Sequence, residues 1–366
     1  MPRFARRGLA MDPRWRRLGD LLVNWSVEVK PGEKVMIAMG EVDSYPLVRG
    51  VYEAVIKAGA YPQVQFLSEG LRHLILKYGS DAQLSWVPEI EAHGMEWADA
   101  YIGLRGASNL HEHDDISSDR LSLNQKAMGK VSTMRWEKTR WCLVRVPNAS
   151  FAQQAECDEE TITEMFFNAS LLDWKAEAEK WRRWALKLNE GSRVRVTGRD
   201  TDLRFSVAGR TWQAADGRIN MPDGEIMTAP VEDSMEGEIY FEFPGVLSGR
   251  LVHDIRLRFQ RGRLVEAASS TNQDFLKRVL ATDPGASVVG EFALGTNMAV
   301  NRFCKDILID EKIGGTMHLA MGRSYPECGG KNTSAIHWDI VKDIRRDGTV
   351  FVDDRPVLRN GTFLLE

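Results

Sequence analysis

Apolar positions in the first half of the chain alternate between two periods. DPRWRRLGDLLVNWSVEV (12–29) has the spacing of one helix face, and the turn KPGE then leads into the apolar run KVMIAM (34–39). A helical pattern over 45–58 precedes the run YPQVQF (61–66), and helical stretches over 68–95 precede ADAYIGL (98–104). A helix over 121–129 and the run WCLVRV (141–146) complete the series. Short apolar runs alternating with helices at these intervals predict βαβ units and a mainly parallel sheet. From 151 to 189 the pattern is helical throughout, and Gly191 stands where a C-cap glycine is expected.

Past that point the period shortens. SRVRVTGRDTDLRFSVAGRTWQ, EGEIYFEF, RLVHDIRLRF and RLVEAASS alternate apolar and polar residues between Gly, Asp and Pro turns, with one helical insertion at 272–280. The chain therefore reads as an α/β domain with a helical C-terminal segment (1–190), followed by a β-rich α+β domain (191–366).

Composition narrows the function classes. The 366 residues are 43% hydrophobic and 27% charged, which is ordinary for globular domains, and the net charge is -4. That balance offers no basic surface for nucleic acid or anionic lipid. No apolar run approaches the roughly 18 residues a membrane span needs. Cys142, Cys157, Cys304 and Cys328 form no CxxC pair, which reads as reduced thiols in a cytoplasmic protein. The basic N-terminus lacks the apolar core of a secretory signal, and Met11 offers an alternative start.

Candidate chemistry concentrates in the second half. In SAIHWDIVKD (334–343), His337 and Asp339 lie two apart among apolar residues, so on a strand they project from one face. They could be a buried pair, a surface pair or two ligands of one ion. His318 lies in the strand-like GGTMHLAMGRSY, and Glu225, Glu291 and Glu311 each abut an apolar run where an unpaired carboxylate is costly to desolvate. These three acids and Asp339, four in all, would balance two divalent cations, and the N/O donor set suits Zn, Co or Mn. Spacing alone leaves these alternatives open.

The ordered blocks NMPDGEIMTAPVEDSMEGEIYF, GEFALGTN, and ILIDEKIGGTMHLAMGRSYPECGGKN followed by SAIHWDIVKD resemble the M29 family of metallo-aminopeptidases. The likeness extends to VEVKPGEKVMI near the N-terminus. It implies a two-metal centre (Zn, Co, Mn or Mg) held by Glu225, Glu291, Glu311, His318, His337 and Asp339, all in the second domain. It also implies Tyr325 as the active-site tyrosine, Glu291 or Glu311 as the proton acceptor, short peptides with a free N-terminus as substrates, and a homodimer. Ring-cleaving dioxygenases of dihydroxypyridines share that fold and use one Fe(II) held by two His and one carboxylate, so His318, His337 and Asp339 also form a possible triad.

Other groups are weaker. HEHDD (His111–Asp115) has the composition of a metal cluster but follows GASN, a solvated loop, and could at most line the mouth of a substrate cavity. Asp233 and Glu236 read as turn or supporting groups, Lys331 and Asn332 as a tight turn or substrate contacts, and Arg261 and Arg263 as a hairpin edge. No GxSxG and no cysteine with an adjacent base supports nucleophilic hydrolysis.

Overall fold

In the computed structural model, which describes residues 12–365, the four apolar runs of the first half lie side by side as parallel strands. The order across the sheet is Tyr61–Leu67, Lys34–Gly40, Ala100–Arg105, Arg140–Arg145 and then the short Asn220–Met221. The inner strands are nearly continuous in apolar residues because helices cover them. Met95, from the helix Glu89–Trp97, and Val131, from the helix Ser118–Lys138, bury against Met36, Ala38, Tyr101 and Leu143 of three strands. Met11 lies outside the described residues.

Local differences from the expected pattern have identifiable causes. The helix expected over 121–129 runs from Ser118 to Lys138, because Gly129 faces open space and no proline interrupts the turn. The first helix spans Pro13–Leu21, capped by the Asp12 side chain accepting from the Arg14 amide, and continues as a π-helical turn over Leu22–Ser26. The helix Trp174–Leu188 ends on Asn189, not on Gly191. Gly191 is needed for a different reason: a Cβ there would lie 2.1 Å from Val352 Cγ1.

Two compact units result, and the chain passes between them more often than one cut near residue 190 expresses. The first takes in the described residues through Gln153, then Cys157–Leu171, then Gly217–Met221, which supplies the fifth parallel strand. The second contains Gln154–Glu156, Leu172–Asp216 and the chain from Pro222 onward, so the helix Trp174–Leu188 belongs to it.

The second unit is built on antiparallel sheets. Eight strands run in the order Arg263–Ala268, Arg256–Gln260, Glu236–Tyr240, Thr201–Ser206, Arg193–Gly198, Gly348–Val352, Arg355–Arg359 and Thr362–Phe363. Five more run His337–Lys342, Met317–Gly322, Val289–Gly295, Glu225–Thr228 and Gln213–Ala215. One face of the five-stranded sheet carries Phe292, whose ring lies 5.0 Å from Phe205 of the larger sheet and 5.8 Å from Trp212. Its other face carries the candidate site residues Glu225, Glu291, His318, His337 and Asp339.

Candidate metal centre

Strand register decides which side chains meet. Glu291 pairs with Ala320 and Ala320 with Asp339; Ala293 pairs with His318, Gly295 with Glu225, and Gly322 with His337. Directly paired residues share a face, so Glu225, Glu291, His318, His337 and Asp339 all project from one side of the sheet. Alanine or glycine stands beside every one of these ionisable residues, which leaves room between them. Gly295 has a further use. A Cβ there would sit 2.1 Å from the Ile313 carbonyl oxygen, so the bare glycine lets the Glu311–Ile313 turn lie directly on the sheet. That turn delivers Glu311 to the same cluster.

The six predicted ligands are thus brought together, all within the second unit. Their donor atoms form three overlapping groups, each spanning no more than 4.8 Å: Glu225 with Glu291 and His318; Glu291 with His337 and Asp339; Glu311 with His318 and Asp339. His318 Nε2 lies 3.4 Å from Glu225 Oε2, 3.6 Å from Glu291 Oε1 and 4.0 Å from Asp339 Oδ1. His337 Nε2 lies 3.2 Å from Glu291 Oε2 and 3.4 Å from Asp339 Oδ1. Most of these separations are too long for good hydrogen bonds, but they suit atoms that share a cation.

Burial makes the same point. His318 is fully buried and Glu225, Glu291 and Asp339 nearly so, yet Glu225 Oε2, both nitrogens of His318 and Asp339 Oδ1 have no hydrogen-bond partner. Leaving such groups unsatisfied costs about 1–3 kcal/mol each, more where charged. Carboxylate oxygens and imidazole nitrogens without a thiolate are donors for Zn, Co or Mn. The residues present therefore fit divalent cations.

Two members of the cluster escaped the sequence reading. Lys312 is fully buried, with Nζ 2.6 Å from Glu225 Oε1, 2.6 Å from Glu311 Oε1 and 3.3 Å from Asp223 Oδ1. A lysine following Asp310 and Glu311 in a glycine-rich turn has the sequence signature of a surface loop, and Asp223 in MPDG that of an ordinary turn. Nothing in one dimension shows that Gly295 draws this turn inward.

Titration follows from crowding. Burial alone would raise the Glu291 carboxyl, but His318 and His337 hold it down, to about 2. Burial alone would lower His318, but Glu291, Glu225 and Asp339 raise it to about 9; His337 is raised likewise by Asp339 and Glu291, to about 12. Burial raises Glu311, and burial together with the surrounding carboxylates raises the Tyr325 hydroxyl above its ordinary value. Burial alone would depress Lys312, yet Glu225, Glu311 and Asp223 hold it well above the usual lysine range. Tyr325 follows the Met317–Gly322 strand, and its ring centroid lies 4.9 Å from that of His337.

The remaining candidates take structural places. His113 Nε2 meets Glu69 Oε2 at 2.7 Å, His73 Nδ1 meets Glu112 Oε1 at 3.2 Å, and Lys77 meets Asp115 at 2.8 Å, so HEHDD ties its loop to the helix Glu69–Tyr78. His111 is exposed and pairs with Asp114. Asn332 donates to the carbonyls of Gly285 and Gly322, and the Lys331 amide donates to Glu232. Glu236 accepts from the Arg261 amide in the hairpin turn, Arg263 donates to the Pro284 carbonyl, and Asp233 is exposed.

Comparison with known proteins gives this centre its context. Aminopeptidase 2 of Geobacillus stearothermophilus is 24% identical over 96% of this chain and 99% of its own. The structure of wild-type AmpT from Thermus thermophilus superposes with a TM-score of 0.85 at 24% identity, covering 97% of this chain and 100% of that one. The 2,5-dihydroxypyridine dioxygenase of Pseudomonas putida KT2440 shares the fold more distantly, with a TM-score of 0.58 and 15% identity over 96% of each chain. The profile described as thermophilic metalloprotease (M29) matches residues 11–363, almost the whole sequence, and the chain belongs to that family.

Proposed function

We propose that the protein is a metallo-aminopeptidase that removes the N-terminal residue of short peptides at a centre of two divalent cations. The observation that carries this reading is the set of three overlapping ligand groups, which share Glu291, His318 and Asp339. The donors fall into more than one ligand group, and their net charge supports two ions. With Asp223 and Lys312 added to the four acids, the cluster still carries about four negative charges, the complement of two dications. Bound there, two such ions supply a water of lowered pKa and polarise the scissile carbonyl.

The chain's own groups supply the rest. Glu291 and Glu311 are the candidate proton acceptors. The Tyr325 hydroxyl, held protonated, donates to the oxyanion that develops on the substrate carbonyl. The carboxylates around the centre receive the free amine of the peptide, which restricts cleavage to the first residue. We place the enzyme in the cytoplasm as a homodimer. Among the described residues no helix is long and apolar enough to cross a membrane.

The mononuclear Fe(II) reading accounts for less of the cluster. A facial triad needs two histidines and one carboxylate, and would leave the buried Glu225 and Glu291 carboxylates beside it without a cation. Metal analysis of protein purified without chelator, followed by assay on aminoacyl-p-nitroanilides and their N-acetylated forms, tests the proposal. Two ions per chain with cleavage of the free-amine substrates alone is expected. One iron with oxygen uptake would overturn it.

A further inference from the structure

We propose that Lys312 makes the two metal positions unequal: the ion held by Glu291, His337 and Asp339 binds first and tightly, while the ion drawing on Glu225 and Glu311 is the labile one. This rests on the two-ion reading above.

The buried ammonium of Lys312 occupies one oxygen of each of two ligands, at 2.6 Å from Glu225 Oε1 and 2.6 Å from Glu311 Oε1. Each carboxylate is left with one oxygen for a cation. Glu225 Oε2 is indeed the atom that is buried without a partner and that faces His318 Nε2 at 3.4 Å. The two groups containing Glu225 or Glu311 therefore each include a carboxylate already shared with a fixed positive charge. The Glu291, His337 and Asp339 group includes none of the three carboxylates that Lys312 contacts.

An ammonium and a dication on opposite oxygens of one buried carboxylate repel each other with little screening by salt. That repulsion lowers the affinity of the nearer position by at least about tenfold, even at the effective dielectric of a protein surface. In the opposite group, His337 donates from Nδ1 to the Arg323 carbonyl at 2.8 Å, so that once the ring gives up its second proton the lone pair falls on Nε2, the nitrogen turned toward Glu291 and Asp339.

Lys312 on this view is a positioning residue. It holds Glu225 and Glu311 in place when cations are scarce, and it keeps one of the two ions exchangeable. Its presence also accounts for a buried cation in a cluster whose work is to bind cations, which packing alone does not.

The test uses metal-stripped full-length protein given one equivalent of Zn²⁺ and then two, with crystals measured at the zinc absorption edge. The first equivalent is expected at the His337–Asp339 position and the second at the Glu225–Glu311 position. In Lys312→Met and Lys312→Gln, titration should show the ratio of the two dissociation constants shrinking at least about tenfold, because the weaker ion binds more tightly. Two ions filling in the reverse order, or a ratio that stays the same in a folded variant, overturns the inference alone. Saturation at one equivalent overturns the two-ion reading and this inference with it. Should neither variant fold, the order of occupancy in the wild-type protein decides the matter.

Discussion

The imidazole of His337 donates from Nδ1 to the carbonyl oxygen of Arg323 across 2.8 Å, and its Nε2 stands 3.4 Å from Asp339 Oδ1. One strand thus presents two donors to one point, with the tautomer of the histidine set by a backbone group just before Tyr325. If both are ligands, Asp339→Asn and His337→Ala should behave alike. Each is expected to reduce bound metal below two per chain and abolish peptidase activity, while far-UV circular dichroism stays native. A merely structural pair would lose about 1–3 kcal/mol of stability and keep its metal. Wild-type metal stoichiometry in either variant, measured by mass spectrometry, would refute the assignment.

Tyr325 gives a separable effect. Its ring lies beside that of His337, and its proposed part is to donate a hydrogen bond, so Tyr325→Phe should leave metal content unchanged. Loss of one oxyanion donor costs about 10²–10³ in kcat. A kcat lowered by that amount with little change in KM is the expected result. An unaltered kcat removes the tyrosine from the reaction.

Acidity gives a third expectation. In the absence of a cation, His318 is raised to about 9 and His337 to about 12, so both imidazoles carry a proton near pH 7. Both values lie above the ordinary 6.5. The stabilisation that these protons give the metal-free fold is therefore complete below about pH 6.5 and is lost as pH rises through about 9 and then 12. Metal ligation needs neutral imidazoles, so binding near pH 7 must release protons and tighten as pH rises. Calorimetric titration in buffers of different ionisation enthalpy measures this directly. Binding heats that do not depend on the buffer would show that the histidines are already neutral.

Part of the cluster's geometry was legible because it follows strand periodicity. His337 and Asp339 fall two apart on a strand, so their common direction follows from the sequence alone. The parallel strands were equally visible, since apolar runs such as KVMIAM are bounded by turns. Lys312 was not legible, because its burial depends on Gly295 sitting beneath the Glu311–Ile313 turn, a contact made only when the chain folds back on itself. HEHDD, read as a solvated loop despite its metal-cluster composition, shows the converse limit. Glu112, His113 and Asp115 find partners on the helix Glu69–Tyr78, and a local composition carries no record of that neighbour. The extent of the helix Ser118–Lys138 was hidden by Gly129, which breaks a pattern on paper and meets only open space in the fold.

The small residues of the site face yield the last prediction. Ala320 is fully buried and stands in register between Glu291 and Asp339, on the face that carries both carboxylates. Its neighbour Leu319, also fully buried, points to the opposite face, toward the packing between sheets. Ala320→Leu would push extra carbons into the space where the two carboxylates meet. Overpacking of this kind costs about 1–3 kcal/mol. Its larger consequence should be chemical: bound metal is expected to fall below two per chain. Leu319→Ala should do the reverse, costing about 2–5 kcal/mol through the cavity it leaves while metal stoichiometry is kept. Denaturant unfolding and metal analysis on the same preparations separate the two outcomes. If Ala320→Leu retains both ions, the alanines and glycines beside the ligands are not there to make room for cations, and the space between the carboxylates requires another occupant.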